Sequence, residues 1–233
     1  MNEDFISTVS HELRTPLTSI RGFSQTMLAS WDKLDDESKK KFLKIIIEQS
    51  NRLINLVENM LSVTKLQDAK DDIIFKEVVI KPVIDMICSI IKNQYPDKSF
   101  NVQISALNIL ADKDKFQQVM TNLIENAAKY GDYNSKITVK AVNIDDFVSI
   151  SVINKGLEIK KEDCEKIFTK FSRIDNPLTR KVQGSGLGLY ITKTLVEKMG
   201  GQIKVKSENG LTIFEVLFPA SNIERQARVK CKQ

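Results

Sequence analysis

The chain has 233 residues, 42% of them hydrophobic and 28% charged, a globular mixture that excludes a disordered or collagen-like polypeptide. No apolar run approaches the ~20 residues that cross a bilayer, and the stretch from Met1 to Arg14 lacks the basic-then-apolar layout of a secretory signal. The net charge of +5 is too small and too evenly spread to point to nucleic acid, and the scattered Cys88, Cys164 and Cys231 form neither a disulfide framework nor a zinc pattern, as expected of an intracellular chain.

Between Asp4 and Lys70 the apolar positions follow a helical beat. Ile6, Val9, Leu13, Pro16, Ile20, Phe23 and Met27 alternate steps of three and four. The series Phe42, Ile46, Gln49, Leu53, Leu56, Met60 and Val63 does the same. This 3.5-residue repeat predicts two antiparallel helices, roughly Asp4–Ala29 and Asp36–Gln67, with Asp35 or Asp36 capping the second. The second helix would be on the order of 48 Å long at 1.5 Å per residue. Two such helices cannot bury both of their stripes alone, so a four-helix bundle with a second copy is expected; folding back on the same chain is the alternative.

From Asp71 onward, strand-like and helix-like stretches alternate. Strands are predicted at Ile73–Ile80, Phe100–Ile104, Lys136–Val142, Phe147–Ile153, Gln202–Val205 and Thr212–Phe218. Helices are predicted at Pro82–Asn93, Lys113–Tyr130 and Gly186–Met199. The pattern implies a mixed α/β sandwich with helices on one face of a sheet. The expected organisation is a helical domain over 1–70, an α/β domain over 71–221 and a frayed basic tail over 222–233.

The one histidine, His11, sits in Ser10-His11-Glu12-Leu13-Arg14-Thr15-Pro16. At 100° per residue it lies about 200° from Val9 and Leu13 of the apolar seam, and therefore faces solvent. Thr15 shares its face, Glu12 flanks it, and Pro16 should bend the helix. An exposed imidazole near neutral pH is a competent nucleophile, and a neighbouring carboxylate can accept its proton. A lone exposed histidine is otherwise an ordinary solvated residue.

Gly184-Ser185-Gly186-Leu187-Gly188-Leu189 opens a helix, where glycines admit a phosphate to the backbone amides. A tight turn into an ordinary helix would read the same way. On the predicted helix Lys113–Tyr130, Asn122, Asn126 and Lys129 form a polar ridge about 130° from the apolar stripe. Asn carbonyls suit Mg²⁺ bound through phosphates, and Lys supplies charge to those phosphates; a solvated ridge is the plainer reading. Phe168 and Phe171 precede a polar stretch, Ser172–Gln183, of the kind that forms a lid, with core packing the alternative for both rings.

Together these segments resemble the catalytic core of the two-component sensor histidine kinases, from Asp4 to Pro219. His11–Pro16 is similar to the phosphoacceptor H box, Asn122–Tyr130 to the N box, Ile167–Phe171 to the F box and Gly184–Leu189 to the second glycine box. The resemblance implies a dimerisation and histidine-phosphotransfer hairpin followed by a Bergerat-fold (GHKL-type) ATP-binding domain. It implies ATP and Mg²⁺ as cofactors, with Asn126 on the metal and Asn122 supporting it. Lys129 and Arg173 would contact phosphates, and Tyr130 would line the nucleotide site together with Gly184, Gly186, Leu187 and Gly188. Glu12 would take the proton of His11, and Thr15 would position water in a reverse phosphatase reaction. The implied partners are a second copy of the chain and the receiver domain of a response regulator, with no direct nucleic acid. The implied location is the cytoplasm, with a membrane involved only through an upstream region.

One element departs from the family. Its first glycine box reads Asp-x-Gly-x-Gly, whereas Asn154-Lys155-Gly156-Leu157-Glu158 places Asn154 at the adenine-reading Asp and Glu158 at the second Gly. A charge-assisted hydrogen bond is worth roughly 1.5–3 kcal/mol against 0.5–1.5 for a neutral one, so about a tenfold weaker hold on adenine is expected. Two functions follow as alternatives. One is a kinase that autophosphorylates His11 and passes the phosphoryl group to an aspartate. The other is a degenerate member acting as a phosphatase or a non-catalytic dimerising scaffold. The gyrase, mismatch-repair and chaperone ATPases of the same fold carry a water-activating Glu where this chain has Asn122, which favours transfer to a protein nucleophile over hydrolysis.

Overall fold

The computed structural model describes residues 3–67, 73–105, 107–172 and 185–221. It divides into two compact units, Met1–Gln67 and Asp68–Gln233.

The first unit is a helical hairpin: α1 (Glu3–Ser30), a single 3-10 turn (Trp31–Lys33) and α2 (Asp36–Gln67). The seam read from the sequence is the one that packs. Pro16, Met27, Leu56 and Val63 are buried, and the Phe23 and Phe42 rings meet with centroids 5.2 Å apart. Asp35 is the residue that caps α2, its Oδ1 accepting the Ser38 N–H at 2.6 Å. That bond holds the Asp35 carboxyl below the usual carboxylate range. Pro16 lies inside an uninterrupted α1. A second row on α2, comprising Leu43, Ile47, Ile54, Val57 and Leu61, stays 42–58% exposed.

The second unit is built from β1 (Lys76–Val79), α3 (Ile80–Gln94), β2 (Ser99–Ile104), β3 (Asn108–Ala111), α4 (Lys113–Tyr130), β4 (Lys136–Ile144), β5 (Phe147–Lys155), α5 (Gly188–Lys198), β6 (Gln202–Glu208) and β7 (Leu211–Pro219). A five-stranded sheet runs β2-β4-β5-β7-β6, parallel only between β2 and β4, and a small sheet pairs β1 with β3. Val139 opposite Val152, Ile150 opposite Val216 and Val148 opposite Phe218 put one row of side chains on the helix-covered face. There Phe116 of α4 meets Phe218 edge to face at 5.4 Å.

Two expectations change. The predicted strand Ile73–Ile80 shrinks to β1, because Ile80 already opens α3 and belongs to its buried stripe with Val83, Ile84, Ile87 and Ile91. Pro82 is accommodated there, since first-turn N–H groups have no helical partner to lose. The strand β3 went unpredicted, its four residues being too few to show an alternation. Its successor Asp112 caps α4 through Oδ1, accepting the N–H groups of Asp114 at 3.0 Å and Lys115 at 3.2 Å, while Oδ2 accepts Ile74 N–H at 3.1 Å.

Candidate functional site

His11 is exposed on α1, as its angle to the seam requires. The half-buried Glu12 points instead toward α2, its Oε2 lying 3.2 Å from Arg52 Nη2. Thr15 turns its hydroxyl back on the helix, donating to the His11 carbonyl oxygen at 3.3 Å. Arg52 escaped sequence reasoning, because nothing local in a 32-residue helix marks which polar residue will face a carboxylate 40 positions away.

The remaining site residues belong to the second unit, gathered around α4. At the amino-terminal end of α5, an added Cβ on Gly188 would lie 2.6 Å from Asn122 Oδ1, so the helix start sits directly on that side chain. Asn122 is locked there by donating from Nδ2 to Thr192 Oγ1 at 2.7 Å. It is thus a tie between α4 and α5 rather than part of a solvated ridge. Asn126, one turn later, is half-buried, and its amide forms no side-chain hydrogen bond among the described residues. Lys129 Nζ lies 5.8 Å from the ring centre of Tyr130.

At its carboxyl-terminal end, α4 meets the altered first glycine box. Gly131 bridges Gly156, Asp132 N–H donates to Lys155 O at 2.8 Å, and Leu157 N–H donates to Tyr130 O at 3.3 Å. A Cβ on Gly156 would fall 2.3 Å from Tyr130 O, so only glycine fits. Strand alternation puts Asn154 on the helix-covered face opposite Thr212. It is 3% exposed, and its amide has no hydrogen-bond partner among the described residues. Glu158, by contrast, is exposed to solvent. The loop beyond Asn154 is held by two buried hydroxyls that the sequence did not single out. Thr212 Oγ1 donates to Leu157 O at 3.0 Å and lies 2.9 Å from Ser207 Oγ, which accepts Ile159 N–H at 2.9 Å.

Leu187 needs a correction. Its side chain is wholly buried, so it packs beneath α5 and offers a ligand at most its backbone. Gly186 takes φ +68°, with the Phe171 backbone within about 3 Å of where its Cβ would stand. Phe168 is core, edge to face with Phe214 at 6.4 Å. Arg173, Gly184, most of the predicted lid and the tail 222–233 lie outside the described residues.

Residues 1–69 match the family model of the His Kinase A (phospho-acceptor) domain, and residues 111–222 that of the histidine kinase-, DNA gyrase B- and HSP90-like ATPases. The chain belongs to the sensor histidine kinases of two-component systems. The signal transduction histidine-protein kinase ArlS of Staphylococcus haemolyticus is 36% identical over 217 residues, covering 92% of this chain and 48% of that protein. This histidine kinase core thus spans about half the length of the curated relatives it matches. Among solved structures, histidine kinase ThkA in complex with response regulator protein TrrA is 27% identical, with a TM-score of 0.75 over 94% of this chain and 62% of that one. Full-length ShkA in complex with AMPPNP is 25% identical, with a TM-score of 0.66 over 94% of this chain and 46% of that one. No helix among the described residues is long and apolar enough to cross a membrane.

Proposed function

We propose that this chain binds ATP with Mg²⁺ in its α/β unit, autophosphorylates His11, and passes the phosphoryl group to an aspartate on the receiver domain of a response regulator. The observation that carries the reading is the juxtaposition of Gly188 with Asn122 midway along α4 and of Gly156 with Tyr130 at its carboxyl-terminal end. Two close glycine approaches thereby bracket the last turns of α4, which carry Asn126 and Lys129 between them. The amide of Asn154 would accept from the adenine amino group. Backbone N–H groups at the α5 start, with Lys129 and Arg173, would receive the phosphates.

The free amide of Asn126 fits a hard cation, and no cluster of three acidic, His or Cys residues competes with it among the described residues. That donor set suits Mg²⁺ held mostly by phosphates and water, with Asn126 as its protein ligand. When bound, the ion would offset charge on the phosphates.

In the transfer, an imidazole nitrogen of His11 forms a bond to the γ-phosphorus, the bond to the β-phosphate bridging oxygen breaks, and ADP leaves. The imidazole proton passes toward Glu12, whose carboxylate Arg52 steadies. Such catalysis is mostly positioning and charge stabilisation. In the reverse phosphatase role, Thr15 would release the His11 carbonyl to orient water. The exposed row on α2 from Leu43 to Leu61 supports assembly of two hairpins into a four-helix bundle, a homodimer. The domain roles follow as a phosphotransfer hairpin over 1–70 and an ATP-binding domain over 71–221, with the chain on the cytoplasmic side.

Incubation with γ-labelled ATP and Mg²⁺ tests the reading. Acid-labile label on the wild type, absent in His11→Gln, is expected. Nucleotide binding without label would instead favour the second reading, a phosphatase or scaffold, which the uncharged Asn154 supports.

A further inference from the structure

Lys98, in the connection between α3 and β2, is 4% exposed, unusual for a lysine. Its ammonium has three N–H donors, and three acceptors meet them. Nζ lies 2.7 Å from Asp97 Oδ2, 2.7 Å from Asp132 O and 3.2 Å from Gly131 O. A second lysine backs it, since Lys92 Nζ donates to Lys98 O and, at 3.0 Å, to Pro96 O. The pairing holds the Asp97 carboxyl below the usual carboxylate range.

The two carbonyls that Lys98 grips form the turn leaving α4. That turn is the one whose Asp132 N–H bonds Lys155 O, and whose Gly131 bridges Gly156. The cation also sits where the negative end of the α4 dipole emerges. The turn that joins the Asn126–Tyr130 end of α4 to the Asn154–Gly156 strand end is thus gripped from its other side by one buried ammonium.

We propose that Lys98 is a positioning residue for nucleotide binding, clamping the 131–132 turn so that the Tyr130 and Asn154 sides of the pocket stand at the right separation. This rests on the nucleotide-binding reading above. The clamp acts on how tightly nucleotide is held and leaves His11 and the hairpin untouched.

The test is Lys98→Met in the full chain, titrated with AMPPNP and Mg²⁺, with amide hydrogen exchange on the same sample. Binding about ten-fold weaker or more is expected. Exchange should be faster at the Asp132 and Leu157 amides, with the β4–β5 amides keeping wild-type protection. Binding within two-fold of wild type overturns the proposal. So does unchanged protection at those two amides, or a loss spread over the whole sheet, which would mark a merely structural lysine. Should Lys98→Met fail to fold, Lys98→Arg is read in the same way. A planar guanidinium cannot place three donors on three acceptors arranged for an ammonium, so binding about three-fold weaker is expected and wild-type binding overturns the clamp. A wild type that binds no AMPPNP overturns the nucleotide site itself, and the clamp with it.

Discussion

Arg52 Nη2 stands 3.2 Å from Glu12 Oε2, tying the residue after His11 to the second helix of the hairpin. Both side chains keep about a fifth of their surface exposed, at 22% and 21%, so solvent screens the pair. Its value lies in orientation, because it fixes where the carboxylate of the residue following His11 can point.

Replacing Arg52 by Met therefore has two expected effects. Urea denaturation should show a loss of roughly 0.5–1 kcal/mol, with a double-mutant cycle against Glu12→Gln returning coupling of that size. Labelling of His11 should slow by about three- to ten-fold at saturating ATP. An unchanged labelling rate would show that Glu12 works without its tether.

Gly188→Ala places a methyl group against Asn122 Oδ1, within 2.6 Å, and forces that side chain off Thr192. AMPPNP binding should fall by about ten-fold or more. Thr192→Val, which removes the acceptor but leaves the space, should weaken binding less. Calorimetric titration of both variants orders them.

Asn154→Asp should strengthen AMPPNP binding by about ten-fold, because a carboxylate replaces a neutral acceptor in a buried position. Glu158→Gly should change the affinity by less than two-fold, since that side chain is solvated. Parallel titrations separate the two departures from the family's glycine box.

Burial, with a smaller contribution from Asp85, pushes the Cys88 thiol up to about 11 from 9.0. Tyr95 is raised in the same direction by burial, then by Glu125 and Tyr130. A group whose folded value is raised adds stability that is complete below its unfolded value and is lost as pH climbs through the folded one. The melting temperature should therefore fall as pH rises from 9 to 11, and Cys88→Ala should flatten that slope. A slope identical in the variant would refute the assignment.

Asp112→Ala removes the cap of α4 and the tie to Ile74. A loss of about 1–2 kcal/mol in thermal or urea unfolding is expected, with α4 the element that frays.

The hairpin was legible because its apolar seam repeats at 3.5-residue intervals. Its helix limits, the outward face of His11 and the cap at Asp35 all follow from local periodicity and local hydrogen bonding. So do α4, to the residue, and the strands that alternate over seven or more positions. The glycines at 156 and 188 were legible as glycines but not as partners. What each one touches, Tyr130 O and Asn122, is set by how α4 lies between a strand end and a helix start far along the chain.

Chemistry-bearing residue types and their order were thus decided by the sequence alone, since backbone propensity and side-chain inventory are local properties. The tertiary structure alone decided which neighbours constrain them. Arg52 on Glu12, Thr192 on Asn122, the Ser207–Thr212 hydroxyls behind Asn154, and Lys98 on the turn after Tyr130 each join residues dozens of positions apart or on separate elements. Polar contacts of that range depend on direction and distance within a packed interior, and no period along the chain encodes them.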